Sequence, residues 1–222
     1  MKLLLAAATE AEISQTLDYL QSKATVPHVF SSGEWEIDIC ITGVGLMPAT
    51  FSFTKALLAK SYDFVLQAGI GGCFDQTVPL GSVVAIGAEM PGDLGAEDHD
   101  KFIDIFDLGF IGTDEAPFTN ARLVNPMDAL PFELDIPVMD GLTVHTVSGS
   151  EATIARRYSQ YPATIESMEG AALHYVCLQM GVPFLQIRSI SNYVTPRDRP
   201  SWQIGKAVGA LNARLIKWIG AL

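Results

Sequence analysis

The chain has 222 residues and a formal charge of −11, from 14 Lys+Arg against 25 Asp+Glu. That balance removes the phosphate attraction on which non-specific nucleic-acid binding rests, and the apolar runs fall well short of the about 20 residues a membrane helix needs. Cys40, Cys73 and Cys177 are odd in number, have apolar neighbours and show no metal-ligand spacing, which favours reduced, buried thiols over a disulfide framework.

The length suits one α/β domain over residues 1–222, and no Pro/Gly/Ser-rich or charged linker and no internal repeat divides it. Lys2–Ala8 is a continuous apolar run, the pattern of a strand buried on both faces. Its opening imitates a secretory signal, but Glu10 and Glu12 follow at once, so it reads as a first strand and a cytoplasmic protein is expected. Thr9 opens a helix to about Gln21. Thr9 and Glu12 have capping-box spacing, which leaves Glu12 either a backbone cap or a base held at a strand end.

Trp35–Thr42 reads as a strand, then Gly43-Val44-Gly45, then a helix with Pro48 in its first turn and its end near Lys60. That glycine pair starts like a dinucleotide fingerprint but lacks the third glycine, so NAD is not expected. Tyr62–Ala68 is a strand running into Gly69-Ile70-Gly71-Gly72, either a tight turn or a place where backbone approaches a ligand. Ser82–Ala88 is the next strand. The stretch from Asp93 to Asp100, with His99 among carboxylates, reads as a solvated acidic loop rather than a metal site. Phe102, Phe106 and Phe110 have the spacing of one helical face, expected to be buried in the core.

Residues 112–140 read as loops with at most one short helix. Leu142–Val147 is a strand, followed by Ser148 and Glu151 at capping-box spacing. Glu169 stands at the start of a helix continued by Leu173, Val176 and Met180. A carboxylate there either complements the helix end or grips paired hydroxyls, as on a ribose. Pro183–Ile190 is the last strand, Thr195–Pro200 a rigid polar loop, and Ser201 or Trp202 starts a C-terminal helix to about Leu222. Its stripe of Ile204, Val208, Leu211, Leu215 and Ile219 is expected to face the core.

The run Met168-Glu169-Gly170-Ala171-Ala172, followed by Pro183-Phe184 and Arg188-Ser189-Ile190-Ser191, resembles the nucleoside phosphorylase and nucleosidase superfamily. It is most similar to the methylthioadenosine/S-adenosylhomocysteine nucleosidases and the futalosine hydrolases, over nearly the whole chain and least over residues 90–140. The resemblance implies a three-layer α/β/α fold around a mixed, twisted central sheet, acting on a small-molecule nucleoside as a homodimer with no metal or organic cofactor. Glu12 matches the acidic residue that activates water, and Glu169 the one that holds the 2′- and 3′-hydroxyls. Gly71, Ser167 and Met168 are implied to lie beside the ribose and base. No arginine or hydroxyl cluster for phosphate accompanies the glycine loop, so water is the expected nucleophile.

Two departures point to the base. Where adenine-specific relatives carry an Asp that protonates the purine, this chain has Asn192, and where they carry a stacking Phe it has Ala152. A carboxamide donates and accepts hydrogen bonds but gives up no proton, which suits hypoxanthine better than adenine unless Asn192 only caps a turn. The resemblance to the futalosine hydrolases also takes in Tyr193, Pro196-Arg197-Asp198-Arg199 and Trp202. There Arg197 or Arg199 is expected to pair with a substrate carboxylate, and Trp202 or a Phe from residues 102–110 to pack on an aromatic ring. The expected reaction is hydrolysis of futalosine in menaquinone biosynthesis, with methylthioadenosine/S-adenosylhomocysteine cleavage as the alternative. No Gly-x-Ser-x-Gly elbow supports a serine hydrolase.

Overall fold

A computed structural model describes residues 1–99 and 101–222. The elements run β1 (Lys2–Ala7), α1 (Glu10–Lys23), β2 (Phe30–Ser32), β3 (Trp35–Ile41), α2 (Leu46–Ala59), β4 (Phe64–Cys73), β5 (Val83–Pro91), β6 (Gly95–Asp98) and β7 (Lys101–Asp104). They continue with β8 (Leu123–Val124), β9 (Val138–Thr143), α3 (Glu151–Gln160), β10 (Ile165–Ser167), α4 (Gly170–Met180), β11 (Phe184–Tyr193) and α5 (Ile204–Ile219).

The main sheet has the order β10-β9-β5-β11-β4-β1-β3-β2, with β8 beside β5, and β6 and β7 form a separate hairpin. β3, β1, β4 and β11 are parallel, while β5 is antiparallel to β11 and β2 to β3. The sheet is therefore mixed, as the resemblance implied. β10 lies parallel to β9 but also returns antiparallel onto the end of β4, placing Ile165 opposite Cys73 and Glu166 opposite Gly72. That return closes β4, β11, β5, β9 and β10 into a ring.

The first strand shows why three layers form. Leu3, Leu5 and Ala7 pack into one hydrophobic cluster and Leu4 and Ala6 into another, so alternate side chains enter opposite faces and both are buried. α1 and α5 cover the first face with Ile13, Leu20, Leu211 and Leu215, while α2 and α4 cover the second with Phe53, Leu57, Leu173 and Val176. Each such side chain stabilises the fold by about 1.5–3 kcal/mol relative to exposure.

Several expectations need correction. The glycine run is strand, not turn: β4 continues through Gly69, Gly71 and Gly72, none of which has a positive φ. No helix carries Phe102, Phe106 and Phe110. Asp104 Oδ1 accepts the amides of Phe106 (3.0 Å) and Asp107 (2.9 Å), a turn that competes with helix formation, and Phe110 is 76% exposed. β9 ends at Thr143 rather than Val147 because Asp93 takes the amides of His145 (2.8 Å) and Thr146 (3.2 Å). Asp93 is thus bound rather than solvated, Glu97, Asp98 and His99 are exposed, and Asp100 lies outside the described residues. α3 is capped by Ser150, whose Oγ accepts from Thr153 N–H at 3.3 Å, and not by Ser148. The three cysteines are unpaired, Cys73 and Cys177 buried and Cys40 half-buried. Among the described residues, no helix is long and apolar enough to cross a membrane.

Candidate active site

The C-terminal ends of β1, β4, β10 and β11 open onto a cleft of about 490 Å³ bordered by Glu12, Gly71, Ser167, Met168, Glu169, Asn192 and Trp202. This is where open α/β sheets place their ligands. Seven residues singled out in the sequence meet there. Arg197 does not border it. Its guanidinium carbon lies 5.6 Å from the Trp202 ring centre, and that of Arg199 lies 6.0 Å away.

Glu12 makes the cap and also reaches the cleft. Its Oε2 accepts from Thr9 N–H (3.1 Å) and Thr9 Oγ1 (3.2 Å), the backward half of a capping box. Its Oε1 accepts from Ile70 N–H at 3.1 Å, so the carboxylate also bridges to β4 at the cleft wall. Glu169 is the residue before α4 rather than within its first turn. Oε1 accepts from Gly45 N–H at 2.9 Å and Oε2 meets Arg188 Nη1 at 3.4 Å. The Gly43-Val44-Gly45 loop therefore holds Glu169; Gly45 has φ +98°, which favours glycine.

Arg188 stands in the motif Arg188-Ser189-Ile190-Ser191, which does not announce its contacts. It is fully buried in β11, donates to Ile70 O (3.3 Å) and lies against Gly69, where a Cβ would overlap its Nη1 and come within 3.1 Å of Glu12 Oε1. One guanidinium thus sits near both Glu12 and Glu169. A lone arginine inside the apolar run Phe184–Ile190 was the available signal, since a buried charge is paired.

At the other end of the cleft, the β11–β4 register jumps between Ile190 and Asn192, a bulge that re-aims Asn192. Ser191 Oγ lies 2.8 Å from Asn192 Oδ1 and 3.1 Å from Gly71 O, and Asn192 Nδ2 donates to Tyr193 O at 3.1 Å. A second amide hydrogen and a second oxygen lone pair stay free for a ligand. Asn192 lies in the last residues of β11, and its bond to Tyr193 O tethers the strand end while its side chain borders the cleft. A Cβ at Gly71 would lie 3.0 Å from Glu166 O, so glycine permits the close approach of β10.

The sequence reading also missed Glu166. It borders the cleft, accepts from Ser148 N–H (2.9 Å) and Ser148 Oγ (2.5 Å), and pairs with Arg157 Nη1 at 3.2 Å. Arg157 in turn reaches Asp93 at 3.2 Å. These partners are far apart in the chain, and no local pattern announces them. Ile204 and Val208, expected in the core, border the cleft instead.

Behind Glu169 lies Glu89, fully buried and raised by burial to about 7, against hydrogen bonds from Gln186 Nε2 and Thr143 Oγ1, both 2.9 Å. Thr143 Oγ1 accepts from Ala171 N–H at 2.7 Å, which ties the first turn of α4 to this carboxyl group. Among the described residues no group of three metal-ligating side chains occurs.

The model of the phosphorylase superfamily matches residues 2–217. The chain is 39% identical over 184 residues to the futalosine hydrolase of Streptomyces coelicolor, covering 78% of this chain and 74% of that one. With the futalosine hydrolase of Acidothermus cellulolyticus it shares 33% over 215 residues, 93% of this chain and 84% of that one. The solved futalosine hydrolase of Helicobacter pylori shares the fold at a TM-score of 0.80 and 17% identity, covering 100% and 98% of the two chains. The chain belongs to the phosphorylase superfamily and, within it, to the futalosine hydrolase family.

Proposed function

We propose that this chain is a nucleosidase that hydrolyses the N-glycosidic bond of futalosine, giving hypoxanthine and dehypoxanthine futalosine on the futalosine route to menaquinone. The observation that carries the reading is Asn192, a carboxamide re-aimed by a bulge into the same cleft as Glu12 and Glu169. The named relatives support it.

Breaking a C1′–N bond builds positive charge on the sugar and negative charge on the purine. Glu12 takes the proton of a water whose oxygen bonds to C1′. The electron pair of the C1′–N bond passes to the purine, which leaves hydrogen-bonded to Asn192 at N7 and O6 and takes a proton from solvent, while Glu12 returns its own proton to solvent. Glu169 grips the 2′- and 3′-hydroxyls and stabilises the oxocarbenium-like sugar, with Gly71, Ser167 and Met168 forming the wall beside ribose and base. Across Gly72 from Asn192, Glu166 offers an acceptor for the N1–H of a 6-oxopurine, a donor that adenine lacks. These steps call on no metal and no organic cofactor.

The reading includes a homodimer. Val44, which borders the cleft, together with Met47, Phe51 and Leu58 on α2, is 57–78% exposed, an apolar row suited to a second copy beside the cleft mouth.

The test is purine release from futalosine, inosine and methylthioadenosine, with and without phosphate. Phosphate-independent hypoxanthine from futalosine is expected, and adenine from methylthioadenosine would overturn the reading of Asn192. In Asn192→Asp, kcat/KM for futalosine should fall about tenfold while methylthioadenosine cleavage appears on the acid side of the pH profile. The Arg197→Ala/Arg199→Ala double variant should raise KM for futalosine about tenfold, the worth of one charge-assisted hydrogen bond. Inosine, without the carboxylated 5′ extension, should be unaffected; an unchanged futalosine KM would remove both arginines from the site.

A further inference from the structure

In a regular α-helix the N–H of residue 16 bonds the C=O of residue 12. In α1 these two groups are each bonded to one side chain from the far end of the chain. Asn212 Oδ1 accepts from Thr16 N–H at 2.9 Å and from Thr16 Oγ1 at 2.7 Å, while its Nδ2 donates to Glu12 O at 2.9 Å and to Val208 O at 2.8 Å. The amide is thus inserted into the hydrogen-bond ladder of α1, a recognised cause of helix kinks. The backbone responds next to Glu12: Ile13 has φ −120° and ψ 17°, outside helical values, and divides the first turn from the rest of α1.

Asn212 is fully buried and does not border the cleft, so it touches no substrate. Its hydrogen-bonding capacity is used on both sides, which makes the insertion specific; Leu has the reach but no polar atom, and the Ser hydroxyl donates and accepts but is too short to span both groups. A straightened α1 would join Glu12 O to Thr16 N–H and rotate the Glu12 side chain away from Ile70 N–H. α5 also carries Val208 at the cleft wall, so the element that packs beside the ligand holds the base by its backbone.

We propose that Asn212 is a positioning residue for Glu12, holding the first turn of α1 in the kinked form that aims this carboxylate at the attacking water. The inference rests on Glu12 acting as the base. Because a displacement of about 1 Å costs on the order of 100-fold, Asn212→Leu and Asn212→Ser should each lower kcat for futalosine by about 10- to 100-fold with KM within about twofold.

The decisive readout is a double-mutant cycle. In a Glu12→Gln background, either Asn212 substitution should cause no further loss, because the group it positions is already disabled. A residue that merely supports the fold would lower both backgrounds by the same factor. Wild-type kcat in either folded variant, or equal losses in the two backgrounds, would overturn the proposal. If Asn212→Leu does not fold, the smaller Asn212→Ser carries the cycle. Wild-type turnover of futalosine in the same assay tests the functional reading separately. If futalosine is not cleaved, the cycle is run on whichever nucleoside the wild type does cleave.

Discussion

Glu12→Gln should lower kcat for futalosine by about a thousandfold while leaving KM nearly unchanged, the size expected when a general base is lost but binding is kept. The amide has almost the same shape as the carboxylate but cannot take a proton from water. It also cannot accept at both ends. Glu12 receives donors from Thr9 on one oxygen and Ile70 on the other, so a glutamine must turn its NH2 toward one of them, a mismatch costing about 1–3 kcal/mol. Thermal melting and steady-state kinetics separate the two roles. A pure cap would lose stability and keep its activity at temperatures where the variant is folded. A base that also caps would lose both, and that is the expected result. Full activity in folded Glu12→Gln would remove Glu12 from the chemistry and transfer the search for a base to Glu169.

The parts of the fold that were legible are those with local causes. β1, β3 and the starts of β4 and β11 are continuous or alternating apolar runs, and the stripe Leu211, Leu215 and Ile219 announces α5. The misreadings share one physical source, a polar side chain whose contacts, near or distant in sequence, override the apolar pattern. The phenylalanines at residues 102–110 have helical spacing, but the Asp104 side chain takes the amides a helix would use. Leu142–Val147 looks like strand to its end, but Asp93, about fifty positions earlier, captures its last amides. The glycine run of β4 looks like a turn because the feature it accommodates, the Arg188 side chain, arrives from β11.

The candidate site divides the same way. That Glu12, Glu169 and Asn192 border one cleft was legible because each stands in a short motif at a strand end. Arg188, Glu166 and Glu89 were not, because their importance is only visible once β10 folds back on β4 and β5 meets β9. Asn212 is the extreme case: in sequence it is an uncharged polar residue beside Leu211 on α5, two hundred positions from the carbonyl it holds.

Gly170→Ala should destabilise the protein by about 2 kcal/mol, lowering Tm by about 4–8 °C for a chain of this size. Helix propensity alone argues the opposite, since Ala is favoured over Gly by up to about 1 kcal/mol within a helix, and Gly170 has no positive φ to forbid it. Packing decides the sign. A Cβ at Gly170 would overlap Glu89 Oε1 and lie 2.6 Å from both Glu89 Cδ and Gln186 Nε2. Glu89 cannot retreat, because a Cβ on the opposite wall at Gly141 would already lie 2.7 Å from its Cδ, and its two oxygens are held by Gln186 and Thr143. The buried carboxyl group thus occupies a slot between two glycines, and a methyl group at Gly170 must push either the start of α4 or the Glu89 side chain. Moving α4 also moves Glu169, so kcat should fall along with Tm. Glu89→Asp, shorter by one methylene, should recover part of the Tm lost in Gly170→Ala when the two are combined. An alanine variant that melts like the wild type would show that the slot can widen without cost.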